Sequence, residues 1–282
     1  MEQLTGWITG TKIPVGRTAK AVFDWLNSHG AVVFQKISDA MDGLIAGILW
    51  LLETPHPLVL IAILTGLTWL MQRNWKTCLL VAAGFLFILN QNYWDATMQS
   101  LTLVLASCVV CMALGVPIGI AVAHRPRLYA WVRPVLDLMQ TLPTFVYLIP
   151  AIVFFGIGVV PGLIATVIFV LPAPIRLTQL GIASTPTALV EAARAFGATP
   201  RQLLWKVELP SALPQIMAGL NQTIMLSLSM VVIAALVGAS GLGVPVLRAL
   251  NSVNIALGFE SGFVIVVVAI LLDRMLRVKG VK

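Results

Sequence analysis

Charge is what this sequence has least of. Only 10% of its 282 residues are Asp, Glu, Lys or Arg, while 59% are hydrophobic, and mean hydropathy is +0.96. Soluble domains carry charge at about a quarter of positions, so a water-facing globule is excluded and a bilayer must do most of the burying. Cysteine is nearly absent too: Cys78, Cys108 and Cys111 all fall in apolar stretches, and no disulfide framework is implied. Cys108 and Cys111 share a helix face, as metal ligands sometimes do. No His, Asp or Glu stands near them in sequence, so they read as small packing residues and no metal site is assigned. The three histidines, His29, His56 and His124, lie at or outside the expected membrane boundaries, without a nucleophile or paired carboxylate nearby. His124, beside Arg125, reads as a solvated helix end. No HExxH or GxSxG occurs, so no catalytic residue is expected. A G-x-x-x-x-G-K-[ST] phosphate loop is missing as well, so this chain cannot hydrolyse ATP by that chemistry. Its start, MEQLTGWITGTKIPVGR, has no apolar core of the signal-peptide kind, and insertion is expected to be driven by the spans themselves.

What the chain has in quantity is apolar runs. Hydrocarbon about 30 Å thick takes roughly 20 residues per helix. Seven spans are predicted, at 57–72, 77–92, 98–123, 135–158, 161–181, 213–238 and 258–276, the first two short. Thirteen of the eighteen basic residues fall on one side of these spans: Arg73, Lys76, Arg125, Arg127, Arg133, Arg176, Arg194, Arg201, Lys206, Arg274, Arg277, Lys279 and Lys282. Lys12, Arg17, Lys20, Lys36 and Arg248 are on the other. The positive-inside rule puts the larger set, and with it the C-terminus, in the cytoplasm and the N-terminus outside. The basic balance thus reports topology, and no nucleic-acid partner is implied.

Residues 18–53 differ from the rest. Val22, Trp25, Leu26, Val33, Ile37, Met41, Leu44, Ile48 and Leu52 recur at helical spacing, with Lys20, Asp24, Asn27, Lys36, Asp39 and Asp42 opposite and Gly30 as a candidate break. An amphipathic helix of this kind lies along a membrane interface or packs on the spans. Pro55 and Pro57 end it. The organisation expected is an N-terminal interfacial segment (1–56), two peripheral spans (57–92) and a five-span core (93–282).

The polar island EAARAFGATPRQLLWKVELP (191–210) interrupts the core. Thr187 can cap a helix that begins near Ala188, with Glu191 paired to the first-turn amides. Gly197 can end it in the left-handed conformation, and Thr199 and Pro200 read as cap and first residue of a second short helix. A solvated loop is the bland alternative. Two helices joined at a glycine make a knob suited to docking.

Glu191-Ala192-Ala193, three residues, Gly197, nine residues, then Val207-Glu208-Leu209-Pro210 resembles the EAA loop of bacterial ABC-importer permeases, with Val207 where that family usually has Ile. LDLMQTLPTFVYLIP (136–150), NQTIMLSLSMVVIA (221–234) and the amphipathic start resemble the glycine betaine/proline betaine/choline permeases, and the choline branch among them. The resemblance covers about residues 15–276. It implies an all-α integral membrane protein, a type I ABC-importer transmembrane domain of five spans with two extra N-terminal spans, in the bacterial inner membrane. Glu191, Ala192, Ala193, Arg194, Phe196, Gly197, Leu209 and Pro210, within the loop 183–212, would then couple to a separate ATP-binding subunit. ATP and magnesium would sit on that partner, leaving no cofactor on this chain. A second copy of the chain and a periplasmic or membrane-anchored solute-binding protein complete the implied set of partners.

A pathway is harder to place. Gln140, Thr141, Thr144 and Tyr147 lie in a helix interrupted by Pro143 and Pro150, and Asn221, Ser227 and Ser229 in the polar run of a core span. Polar groups at membrane depth face protein or water rather than lipid, so transit and helix packing both remain open for each. Tyr147, Phe145 and Phe154 offer faces to a quaternary ammonium group, or are core. The competing function is a stand-alone secondary transporter or channel for small solutes; a membrane-embedded enzyme stands third.

Overall fold

The computed structural model describes residues 14–276, with the side chain of Val15 left out. Lys12, Arg277, Lys279 and Lys282, used above for topology, lie outside the described residues, as does most of the start inspected for a signal peptide. Among the described residues the regular structure is entirely helical.

Helix α1 (Val15–Glu53) runs 39 residues without a break at Gly30. It fits the amphipathic pattern only in part. Ile45 and Leu52 are buried, whereas Val22, Trp25, Val33 and Ile37 remain exposed. Its N-terminal half is held through aromatics: Phe34 stacks on Phe154 with centroids 4.4 Å apart, and Phe23 lies 5.6 Å from the same ring. Pro55 stops α1, and α2 (Pro57–Gln72) leaves at 100° to it. Asn74 caps α3 (Trp75–Asn90) by accepting from the Lys76 amide at 3.1 Å. These two helices pack on each other and, through α3, on the last helix of the chain.

The remaining helices are α4 (Trp94–Ala123), α5 (Pro126–Thr141), α6 (Thr144–Phe155), α7 (Val159–Val170), α8 (Pro172–Ala183), α9 (Thr187–Ala195), α10 (Pro200–Leu203), α11 (Leu209–Ala235), α12 (Gly243–Ser252) and α13 (Ile255–Leu276). Among the described residues, four stretches are long and apolar enough to cross a membrane: α4, α7 with α8, α10 through α11, and α13. The number rises to six if the bent pairs α1–α2 and α5–α6 each count as one crossing, and α3 is shorter. The straight span expected at 135–158 is not found. α5 and α6 meet at 96° instead, because Leu142 precedes Pro143 and is pushed into extended backbone (φ −64°, ψ 136°).

At the centre α8 packs against α4 and α11 more extensively than any other helices pack, and α4 and α11 also meet each other. Small residues make this possible. Gly115 and Gly119 of α4 form a G-x-x-x-G stripe, and a Cβ on Gly119 would stand 2.6 Å from Thr178 Cβ and 2.8 Å from the Ile175 carbonyl oxygen. Gly181 of α8 is as tight against α11, with Ala212 Cβ 3.0 Å from where its own would be. Between membrane helices no hydrophobic force distinguishes partner from lipid, so backbone approach of this kind supplies much of the attraction. Large apolar residues such as Leu58, Ile63, Leu67 and Leu70 point outward from α2, a face that hydrocarbon covers.

The seam is testable by size. Gly119→Leu should cost about 1–3 kcal/mol by overpacking and lower the thermal midpoint of the purified protein in detergent. Gly66→Ala, inside α2 where nothing lies within 4 Å, should instead hold or raise stability, by up to about 1 kcal/mol of helix propensity. Equal effects at the two positions would refute close packing at Gly119.

Candidate functional site

The polar island folds as helix, glycine, helix, with two departures from the expected detail. Thr187 is the first helical residue of α9 rather than its cap; Pro186 (φ −55°, ψ 126°) holds that position and no side chain caps the helix. Proline's fixed φ delivers the chain directly into the turn. Glu191 therefore sits beyond the first turn, away from the amides it was expected to meet. At the other end Gly197 takes φ +77°, the left-handed region. The Gly197 amide donates to the Arg194 carbonyl at 2.9 Å and the Ala198 amide to Ala193 at 3.0 Å, the paired bonds of a Schellman turn.

Thr199 then caps α10 as expected, with Pro200 first. Gln202 closes a capping box: its amide donates to Thr199 Oγ1 at 3.3 Å, and its own Oε1 accepts from the Thr199 amide at 2.9 Å. The T-x-x-Q spacing carried that signal in the sequence. The second helix is not short. It continues through a π-helical turn, Leu204–Glu208, into α11, giving 36 unbroken residues from Pro200 to Ala235. Pro210 explains the turn. It has no amide for the Lys206 carbonyl, and its ring would clash there in a regular helix; widening the ladder so that Leu209 donates to Leu204 relieves both problems.

The result is a knob that buries almost nothing of itself. No residue of α9 is buried. Glu191, Ala192, Arg194 and Gly197 are exposed, Ala193 half-exposed, and Phe196 is 93% exposed. Leu189 and Trp205, which sequence reasoning passed over, are uncovered too, Trp205 at 70%. Leu209 is half-buried and Pro210 exposed at the start of α11. Arg194, Arg201 and Lys206 outnumber Glu191 on this surface. Phe196 and Trp205 thus leave large aromatic surface uncovered on a segment with more basic than acidic exposed side chains.

His124 stands exposed at a helix end, as the sequence suggested, but it is also paired. Its Nε2 lies 2.8 Å from Glu208 Oε2, and its Nδ1 2.9 Å from the Ile120 carbonyl oxygen. The His124 side chain is 45% exposed and that of Glu208 only 9%. No local pattern links residues so distant in sequence. A second polar clasp joins α8 to α5: Arg176 donates to Asp137 at 2.6 Å and to Gln140 Oε1 at 3.0 Å.

The residues weighed for a pathway fall into two groups. Gln140, Thr141, Thr144 and Tyr147 gather at the α5–α6 elbow. Gln140 is taken by Arg176; Thr141 is exposed and Thr144 half-buried. Tyr147 is buried, and its hydroxyl donates back to the Met139 carbonyl, fastening the bend. Phe154 is occupied by α1, whereas Phe145 is exposed. On α11, Ser227 is buried against α4, where the Ser107 hydroxyl donates to it at 2.7 Å. Ser229 is exposed and its hydroxyl returns to the Met225 carbonyl at 3.2 Å. Two residues apart on a helix is about 200°, so Ser227 and Ser229 look in opposite directions. Asn221, eight residues before Ser229, is half-buried and lies about 80° round the helix from it.

Residues 115–278 match the family described as "Binding-protein-dependent transport system inner membrane component". Over 264 residues, 94% of this chain and 93% of the relative, the sequence is 45% identical to OpuAB, a glycine betaine transport system permease protein of Bacillus subtilis. It is 42% identical to the glycine betaine/proline betaine permease ProW of Escherichia coli, across 96% of this chain and 76% of that one. Among solved structures, an inward-facing MetNI methionine ABC transporter superposes with a TM-score of 0.57 at 25% identity, covering 64% of this chain and 92% of its own.

Exposure can be read chemically. With Cys78, Cys108 and Cys111 replaced by alanine, a cysteine at Phe196 or Trp205 should label fully with a membrane-impermeant maleimide in inside-out vesicles and poorly in right-side-out ones. Ser227→Cys should resist labelling in both. Rapid labelling at 227 would break the assignment of that serine to the α4–α11 contact.

Proposed function

This chain belongs to the inner-membrane components of binding-protein-dependent transport systems, and from that premise we propose that it moves a quaternary ammonium solute inward on energy supplied by a separate ATP-binding subunit. The named relatives, which carry glycine betaine and proline betaine, favour those two solutes over choline.

The observation that carries the mechanism is the uncovered knob. Glu191 to Gly197 form a docking helix for a cleft on the ATP-binding subunit, with Phe196 as apolar anchor and Arg194 and Glu191 offering charge pairs. The Schellman turn at Gly197 sets the angle between this helix and the long one that follows. Leu209 and Pro210 define the hinge where that long helix enters the membrane. ATP and magnesium act on the partner. A solute-binding protein delivers cargo from outside, and a second copy of this chain completes the passage, Asn221 and Ser229 lining the route together with Thr144 and the elbow residues Gln140, Thr141 and Tyr147. Ser227 serves packing rather than transit. The charge distribution supports a cytoplasmic C-terminus and an outer N-terminus.

Phe196→Ala should weaken co-purification with the ATP-binding subunit at least about tenfold, the loss of a buried aromatic hot spot. Gly197→Asp should abolish ATP-driven uptake in proteoliposomes while the chain remains folded. Ion-gradient-driven uptake by this chain alone would instead establish a stand-alone carrier.

A further inference from the structure

We propose that His124 and Glu208 form the joint through which movement of the docking knob reaches α4, which makes both of them positioning residues for transport. The inference deepens the docking role given to α9 and rests on it.

Among the described residues, α9 packs chiefly against the segment that follows it: α10 and the π-turn Leu204–Glu208. Whatever displaces the knob is therefore handed first to that turn. Glu208 ends the turn and is its only carboxylate. It is buried, beside an apolar cluster in which Leu204 and Leu209 meet Ile120 and Ala123 of α4 and Ile182 of α8. A carboxylate in such a place is costly unless it is paired. Its partner is His124, 84 residues away in sequence, at the last turn of α4.

The second ring nitrogen strengthens the assignment. Nδ1 faces the Ile120 carbonyl, which can only accept, and an ionised carboxylate likewise only accepts. His124 is thus bonded on one side to its own helix, at the C-terminal end of α4, and on the other to the carboxylate that ends the π-turn. Apolar neighbours can slide past each other, but a charged hydrogen bond has a direction. When the π-turn moves, α4 is drawn with it. α4 also carries Gly115 and Gly119, locked against α8, so the displacement passes straight into the packed centre. Among the described residues the other ion pairs are Arg176–Asp137, which joins α5 to α8, and Arg274–Asp273, between sequence neighbours. Neither touches the knob or its root.

The test is uptake per ATP hydrolysed by the importer reconstituted in proteoliposomes with its ATP-binding and solute-binding subunits. Wild type is compared with Glu208→Gln, His124→Gln and the double variant. Each single variant should assemble and hydrolyse ATP, while uptake per ATP falls by about 5- to 150-fold, the usual range of coupling between sites. The double variant should fall no further than the worse single, because the pair acts as one unit. A ratio within about twofold of wild type in both singles overturns the proposal. So does a loss of uptake that only tracks lost assembly or a lowered thermal midpoint, since that is what a merely structural bond would give. Should Glu208→Gln not assemble, His124→Gln, at the half-exposed partner, decides by the same readouts. If wild type itself fails to bind or use the ATP-binding subunit, the docking role of α9 falls and takes this joint with it. If wild type couples and both singles couple equally, only the joint falls.

Discussion

Three helix backbones held in contact at Gly115, Gly119 and Gly181 are the constraint from which the rest of the molecule follows. In hydrocarbon each helix satisfies its own backbone bonds, and lipid competes with every apolar side chain as a neighbour. What lipid cannot match is backbone set against backbone. Once α4, α8 and α11 are fixed in this way, the loop between α8 and α11 has one place to emerge. Its root, from Ile182 to Ala212, is clamped by the apolar cluster that those same three helices build. The knob is thus firmly based and freely exposed.

Polar chemistry is spent sparingly around that frame, and where it is spent it closes bends. Tyr147 fastens the elbow of α5 and α6, Arg176 clasps α5 to α8, and His124 pins the root of the knob to α4. Each sits where a helix ends or turns, so each fixes an angle that packing alone would leave soft. Ser107 and Ser227 do the same work inside the seam at the scale of one hydroxyl bond. The pattern also explains why the knob itself carries no such tie: an element bonded to its own chain has nothing left for a partner.

Much of this was legible in the sequence, for identifiable reasons. Apolar run length located the four helical stretches long enough to cross a membrane, amphipathic spacing located the N-terminal helix, and Gly197, Thr199 and Pro200 encoded their turn in local backbone preference. Failure came where the deciding partner was distant or where proline acted at range. The 96° elbow follows from Leu142–Pro143, yet a run of apolar residues on both sides masked it as one span. The π-turn that fuses α10 to α11 is a response to Pro210, whose cost looked like a helix stop rather than a widened ladder. Glu208 and His124 had no local signal at all; only the fold brings them together. Ser227 and Ser229 seemed one polar patch because they are close along the chain, whereas helical geometry sets them on opposite faces.

That separation bears on how selectivity is divided. Glycine betaine is a zwitterion, a quaternary ammonium beside a carboxylate, and a tight site for it needs aromatic faces for one end and donors for the other. In this chain the aromatics suited to the first task are largely committed: Tyr147 is buried and bonded, and Phe154 is stacked under α1. On α11, Ser229 is exposed and Asn221 half-buried, neutral groups that neither trap a cation nor repel it. Were such groups to line a passage, a net-neutral solute would cross without a deep well to escape from. The family to which the chain belongs depends on a binding protein, and a separate protein that meets the solute first is where tight recognition can be built without slowing passage.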